Sequence, residues 1–167
     1  MTSKLKIQLQ SDLTTALKQG EALKRSVLGM VITAVKNKEL QKRGQLSKTN
    51  SDPATLTEQS QLTDEEIITV LAGEVKKRKE AIEQFTVGQR SDLVKKEMAE
   101  LKILTKYLPA QLSEAEIFAT VQAVITQTEG KDKQAIGKII GLVMTKLKGQ
   151  ADGNKVRQLV QAALNQQ

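Results

Sequence analysis

The residues best suited to chemistry lie near the end of the sequence, where cations and glycines occur close together. Residues 146–153 (KLKGQADG) are predicted to end one helix, form a tight turn and begin another, and Lys155 and Arg157 follow directly. The backbone N–H groups and the positive dipole at the start of a helix favour an anion. The segment fits a phosphate-binding turn, but it lacks the length and the preceding strand of a phosphate-binding loop. On spacing alone the plainer role is favoured, with Asp152 as a helix N-cap or turn residue.

The side chains that most enzymes use for acid–base and nucleophilic chemistry are absent. The sequence contains no Cys and no His, which excludes disulfides, thiolate and imidazole metal sites, cysteine nucleophiles and Ser-His-Asp catalysis. A metal ion would depend on carboxylates alone, and the 19 acidic residues are scattered along the chain. We therefore predict no catalytic residue, no metal site and no cofactor.

Arg78 is a cation whose position predicts burial. It shares a helical face with the apolar residues Val75 and Ile82. If this helix pairs antiparallel with the next one, Arg78 lies near Glu97 and Glu100. A buried guanidinium needs a carboxylate partner, because stranding one charge costs ~3–5 kcal/mol. The sequence favours a structural ion pair of Arg78 with these glutamates, and a phosphate or ligand contact is the alternative.

Gly137 and Gly141 are four residues apart inside a predicted helix. Each costs ~1 kcal/mol relative to Ala, so a contact must compensate for them. At this spacing the two glycines form a smooth strip along one helical face. The sequence favours close packing of another helix against this strip, and close approach of an RNA or protein backbone is the alternative.

Helical periodicity dominates the rest of the chain. Apolar residues recur at helical spacing almost everywhere, and no stretch alternates with the period of a strand. Capping boxes at residues 63–66 and 113–116 predict two helix starts. Gly20, Gly44 and Gly88 predict helix ends. The sequence therefore predicts an all-α fold.

A break at Leu108-Pro109 divides the predicted helices into two groups. We predict a four-helix N-terminal domain over residues 1–108 and a three-helix C-terminal domain over residues 109–167. Residues 45–62 are rich in polar side chains and contain Pro53. This composition predicts a long exposed loop that is mobile at least in part.

The charge balance suits an anionic partner. The net charge is +7, from 26 basic and 19 acidic residues, and residues 130–167 hold seven basic against two acidic side chains. With only one Tyr, two Phe and no Trp, RNA-binding platforms that stack bases on aromatic rings are nearly excluded. No segment resembles a signal peptide or a membrane span. We predict a cytoplasmic protein with no membrane partner.

Two blocks of the sequence resemble the YqeY family, and together they span about residues 20–167. The carboxy-terminal block comprises residues 137–144 (GKIIGLVM), 147–149 (LKG), 151–153 (ADG) and Val156. The upstream block comprises residues 74–81 (EVKKRKEA), Gly88, Arg90, Asp92-Leu93, Glu97, Glu100-Leu101 and residues 107–109 (YLP). The loop at residues 45–62 looks longer than is usual in the family.

The resemblance implies four helices followed by a three-helix domain similar to the tail domain of GatB, a subunit of the tRNA-dependent amidotransferase. In that enzyme the tail helps to recognise tRNA, while amide transfer and ATP chemistry belong to a larger domain. A chain of 167 residues without a nucleotide cradle or an ammonia source cannot run this reaction alone. The resemblance therefore does not carry the activity of a carbon–nitrogen ligase with glutamine as amido donor.

Our leading hypothesis is a non-catalytic, tRNA-binding accessory protein that contacts the backbone of structured RNA. One alternative is a subunit or activator of an amidotransferase-like enzyme, or a partner of another translation-related protein. Another is a helical adaptor that docks a protein helix on the Gly137/Gly141 strip. The predicted RNA-binding residues are Lys138, Lys146, Lys148, Gly149, Gly153, Lys155 and Arg157.

Overall fold

The computed structural model describes residues 3–49, 52–128 and 133–165, and these residues form eight helices and no strand. Contacts divide the chain into a first unit, Met1–Tyr107, and a second unit, Leu108–Gln167. The predicted all-α fold is confirmed, but the described part of the first unit holds five helices rather than four. The helices are α1 Lys4–Lys18, α2 Ala22–Leu46, α3 Pro53–Gln59, α4 Asp64–Val87, α5 Ser91–Thr105, α6 Glu114–Gln127, α7 Lys133–Leu147 and α8 Gly153–Asn165.

The first unit is built on two long helix pairs, α1 with α2 and α4 with α5. The inward faces of these helices carry aliphatic side chains at spacings of three and four residues, which bury one stripe of each helix. Removing these side chains from water is the main favourable term for the unit. The largest fully buried side chains of the unit are Leu9, Val27, Leu28, Val31, Val35, Ile67, Leu71 and Leu104.

Both predicted capping boxes are formed. The Thr63 hydroxyl accepts a hydrogen bond from the Glu66 N–H at 3.2 Å, and the Glu66 carboxylate accepts one from the Thr63 N–H at 2.8 Å. Ser113 and Glu116 exchange the same pair of bonds at the start of α6. These bonds satisfy backbone donors that the first turn of a helix leaves unpaired.

Two of the three helix ends predicted at glycines are confirmed. α1 ends just before Gly20, whose φ of +69° lies in the left-handed region, and α4 ends at Val87, just before Gly88. The prediction at Gly44 is wrong, because α2 continues to Leu46. One glycine costs a helix only ~1 kcal/mol, which a helix of 25 residues packed on its neighbours absorbs.

The prediction of an exposed loop over residues 45–62 is also wrong, because this segment contains the end of α2 and the short helix α3. The Asp52 carboxylate accepts a hydrogen bond from the Thr55 N–H at 2.8 Å, and Pro53 occupies the first helical position. Leu56 and Leu62 are 7% and 2% exposed. Polar composition predicted a loop, but the proline starts a helix and the two leucines anchor the segment to the core.

The second unit is a three-helix cluster around its own apolar core. Ile117, Val121 and Val124 of α6 pack with residues of α7 and α8, and the core also contains Ile139, Val143, Leu147, Val156, Val160 and Ala163. The segment before α6 is fixed to the turn between α7 and α8, because the Leu112 N–H donates to the Gln150 carbonyl at 2.9 Å. The turn that carries predicted site residues is therefore held in place from outside its own helices.

Tyr107, the last residue of the first unit, is tied back to α1. Its hydroxyl donates to the Asp12 carboxylate at 2.8 Å. Burial and this hydrogen bond to an anion raise the pKa of Tyr107 well above its usual range. The contact joins residues 95 positions apart, so it depends on the folded first unit.

The packing of α3 yields a direct test. We expect Leu56→Ala to lower the free energy of unfolding by ~2–4 kcal/mol, because it removes a buried side chain and leaves a cavity. Leu40→Ala is the control, since Leu40 is 65% exposed and its loss should change the free energy by less than ~0.5 kcal/mol. Urea denaturation followed by circular dichroism measures both. Equal, small effects would show that residues 52–62 do not contribute to the core.

Candidate nucleic-acid interface

The predicted cations of α7 lie along one side of the helix. Lys138, Leu142 and Lys146 follow one another at intervals of four residues and are all exposed, with Leu142 at 42%. Residues at this spacing are neighbours on the helix surface. Lys146 donates to the Gln127 side-chain oxygen at 3.1 Å, which holds its ammonium group beside the end of α6.

The predicted cations of α8 do not share a face. Lys155 and Arg157 are both exposed, but residues two positions apart point ~200° apart around a helix. The Lys155 ammonium pairs with Glu114 at 2.9 Å, on the α6 side. The structure therefore does not bring all the predicted cations to one place.

The bonds of the lysines to α6 show how widely the charges are spread. Lys146 is bonded to Gln127, the last residue of α6, and Lys155 to Glu114, the first. A helix of 14 residues is ~20 Å long at 1.5 Å per residue. This spacing exceeds the size of a single phosphate group and suits an extended polyanion.

The turn between α7 and α8 contains a carboxylate, that of Asp152, at the position where a phosphate would bind. Lys148 and Gly149 both have a left-handed backbone, with φ of +42° and +81°, and the Gln111 side-chain amide donates to the Gly149 carbonyl at 2.9 Å. The Asp152 carboxylate accepts from the Asn154 N–H at 2.9 Å. At the start of α8, where Gly153 is the first helical residue, the structure favours the N-cap role of Asp152 over a phosphate site.

The favoured interpretation of the glycine strip is wrong. Gly137 and Gly141 lie on the exposed side of α7, and a Cβ added to either would meet no atom within 4 Å. The Thr145 hydroxyl, also exposed, donates back to the Gly141 carbonyl at 2.8 Å. No described helix packs on the strip, which leaves an open surface of very small side chains beside Lys138.

The electrostatic character of this surface follows from its sequence. Neither α7 nor α8 contains an acidic residue, and Asp152 is the single acid between residues 133 and 165. Since charges of one sign reinforce one another over several ångströms, the exposed sides of these two helices favour an anionic partner. Glu114 offsets part of the charge on Lys155 from α6.

Arg78, the other predicted site, is an ion-paired core residue. It is 9% exposed, and its two Nη atoms donate to Glu74 at 3.0 Å and to Glu100 at 3.1 Å. Glu97 is half-buried and makes no ion pair with Arg78 among the described residues. The carboxylate that sequence reasoning missed is Glu74, whose spacing of four residues from Arg78 was the available signal.

This ion pair gives a stability prediction. We expect Glu100→Ala to lower the free energy of unfolding by ~3–5 kcal/mol, because it strands part of the charge of a buried guanidinium. Glu83→Ala is the matched control on exposed helix surface, where the change should stay within ~0.5 kcal/mol. Chemical denaturation measures both variants. A small effect for Glu100→Ala would contradict the structural role.

The glycines of the second unit give a prediction with opposite signs at two positions. Gly141→Ala should raise the free energy of unfolding by ~1 kcal/mol, because Ala favours the helix and its Cβ has open space. Gly149→Ala should lower it by ~1–2 kcal/mol, because φ is +81° there. Thermal melts of the two variants check both signs. A loss of stability in Gly141→Ala would restore the close-packing interpretation.

The fold and the site define a small, basic, all-helical protein built from two units. The sequence model of the protein family described as Yqey-like protein matches residues 6–164 of this chain. The chain therefore belongs to the YqeY family.

Several curated relatives are fungal proteins named altered inheritance of mitochondria protein 41, mitochondrial. The protein of Pyrenophora tritici-repentis is 33% identical over 92 residues, which cover 53% of this chain and 50% of the relative. That of Kluyveromyces lactis is 28% identical over 138 residues, 78% of this chain and 66% of the relative. That of Lachancea thermotolerans is 30% identical over 122 residues, which cover 71% of this chain and 57% of the relative. The chain thus spans about half to two thirds of the length of these relatives.

These names contradict the prediction of a cytoplasmic protein, since the relatives are named as mitochondrial. The prediction depended on the lack of a secretory segment, a feature that does not distinguish one compartment from another inside a cell. Separately, none of the described helices is both long enough and apolar enough to span a membrane.

Proposed function

We propose that this protein is a non-catalytic accessory protein whose second unit binds structured RNA, with tRNA as the class that the family resemblance implies. The observation that carries the proposal is the exposed side of α7, where Lys138 and Lys146 share one row of residues and Lys138 lies beside the open glycine strip. Neither α7 nor α8 adds an acidic side chain to this surface.

The mode of binding we propose is contact with the RNA backbone. Contacts of lysine and arginine with phosphates are made through charge, and they carry no information about the base sequence. Structured RNA is recognised mainly by shape, phosphates and 2′-hydroxyls. The second unit has Phe118 as its one aromatic residue, which fits this mode better than base stacking.

The spread of the charges supports a polyanion over a small phosphate ligand. Lys146 and Lys155 are bonded to opposite ends of α6, and a single mononucleotide would reach only one of them. The strip at Gly137 and Gly141 adds a place where a backbone can approach α7 without meeting side chains. We expect successive phosphates of one strand to pass along this surface.

Fluorescence anisotropy with bulk tRNA, over a series of salt concentrations, tests the proposal. The wild type should prefer tRNA to an unstructured RNA of equal charge. In Lys138→Gln/Lys146→Gln the slope of log K against log salt should shrink by about two, roughly one for each lost phosphate contact. The control is Lys95→Gln/Lys102→Gln, which removes two exposed lysines of α5 in the first unit.

Two outcomes would overturn the proposal. Equal weak binding of both RNAs that disappears at moderate salt would mean that the charge of +7 acts only as background. Equal loss of affinity in the α7 and α5 variants would mean that the second unit has no special role. The first result would redirect the search to protein partners.

A helical adaptor is a second candidate, favoured by the exposure of Leu142 beside the open strip. Gly141→Leu separates the two functions, because it adds bulk without changing charge. If RNA lies on the strip, tRNA affinity should fall while the salt slope stays constant. If the strip docks a protein helix, tRNA affinity should stay unchanged. A role as subunit or activator of an amidotransferase-like enzyme remains a prediction. It requires that enzymatic activity appear only when this protein is mixed with a catalytic partner.

A further inference from the structure

A cavity in the first unit, where α2, α4 and α5 meet, is separate from the proposed RNA surface. Its volume is about 420 Å³, within the range of ~300–1,000 Å³ typical of small-molecule sites. Leu23 and Met30 of α2 line it and are 39% and 41% exposed. The cavity thus offers apolar surface that the fold itself does not cover.

The same cavity is lined by hydrogen-bond donors that lack acceptors. Ser26 and Lys96 line it and are both exposed, and neither side chain makes a hydrogen bond or ion pair with another described residue. Arg78 also lines it, and its buried Nε–H has no acceptor in the described structure. A buried donor left unpaired costs ~1–3 kcal/mol. These groups favour a ligand that brings a carboxylate.

An acceptor lines the cavity as well. Glu97 is half-buried, and no described cation pairs with it. Arg78 does not neutralise it, because both Nη groups of Arg78 already bind Glu74 and Glu100. A half-buried carboxylate without a partner favours a cationic group. The ligand that fits the cavity therefore carries both signs of charge.

We propose that this cavity binds a free α-amino acid with an apolar side chain. The carboxylate of the ligand lies toward the Arg78 Nε–H, Ser26 and Lys96, its ammonium group toward Glu97, and its side chain against Leu23 and Met30. A simple anion would leave Glu97 unpaired, and a simple amine would leave Lys96 unpaired. An apolar α-amino acid satisfies both charges and covers the exposed apolar wall.

Isothermal titration calorimetry on the full-length protein tests the site with L-leucine and L-methionine. Three analogues each lack one recognised feature: isoamylamine lacks the carboxylate, isocaproate lacks the ammonium group, and glycine lacks the apolar side chain. We expect saturable, millimolar binding of the two amino acids. Each analogue should bind at least about tenfold more weakly. Isoamylamine and isocaproate each lose a hydrogen bond to a charged group, and glycine loses the burial of an apolar side chain.

Variants locate the binding in the cavity. Glu97→Gln and Lys96→Gln should each weaken leucine binding by about tenfold, and neither removes a contact that the described fold uses. Glu83→Gln and Lys95→Gln are the matched controls, because these exposed residues lie on the same two helices outside the cavity lining. Thermal melts of all four variants confirm that they are folded.

Three results would overturn the proposal. They are the absence of saturable binding of both amino acids up to their solubility, equal affinity for leucine and isocaproate, and unchanged leucine affinity in both cavity variants. The outcome does not depend on RNA binding, because Lys96 and Glu97 belong to the first unit. Binding of tRNA by the cavity variants should equal that of the wild type.

Discussion

The pairing of Arg78 with Glu74 and Glu100 is the constraint on which the first unit depends. A guanidinium that is 9% exposed is tolerated only while carboxylates stay within hydrogen-bonding distance. The bond to Glu100 joins α4 to α5, and a contact of 3.8 Å from Arg78 to the Met30 sulfur extends the link to α2. The three helices that frame the cavity are therefore locked in one register, because a slip would strand a buried charge.

The second unit depends instead on apolar packing, which stabilises the fold without placing constraints on the charges of its outer surfaces. Val143 and Val160 are fully buried in the core of α6–α8. The opposite sides of α7 and α8 then carry whatever charges the sequence provides, and these are basic. Their separation along α6 follows from helix geometry. The same packing that makes the unit stable therefore spreads its cations over a broad surface.

Local signals predicted most of the helices, because capping boxes at Thr63 and Ser113 and apolar spacing act within one or two turns. The burial of Arg78 also followed from its register with apolar neighbours. What sequence reasoning missed depends on contacts between distant segments. Helix α3 is stabilised by the burial of Leu56, and the open strip at Gly141 exists because no described helix covers it. Composition and periodicity contain neither fact.

The hydrogen bond from Tyr107 to Asp12 has a practical consequence for spectroscopy. The chain has one Tyr and no Trp, so near-ultraviolet absorbance and intrinsic fluorescence report almost entirely on the surroundings of this phenol. Because the phenol is held against α1, its signal follows the unfolding of the first unit. We expect it to change little when α6–α8 melt. Far-ultraviolet circular dichroism sees all the helices. Recording both signals in one denaturation experiment therefore separates the unfolding of the two units without labels or truncation.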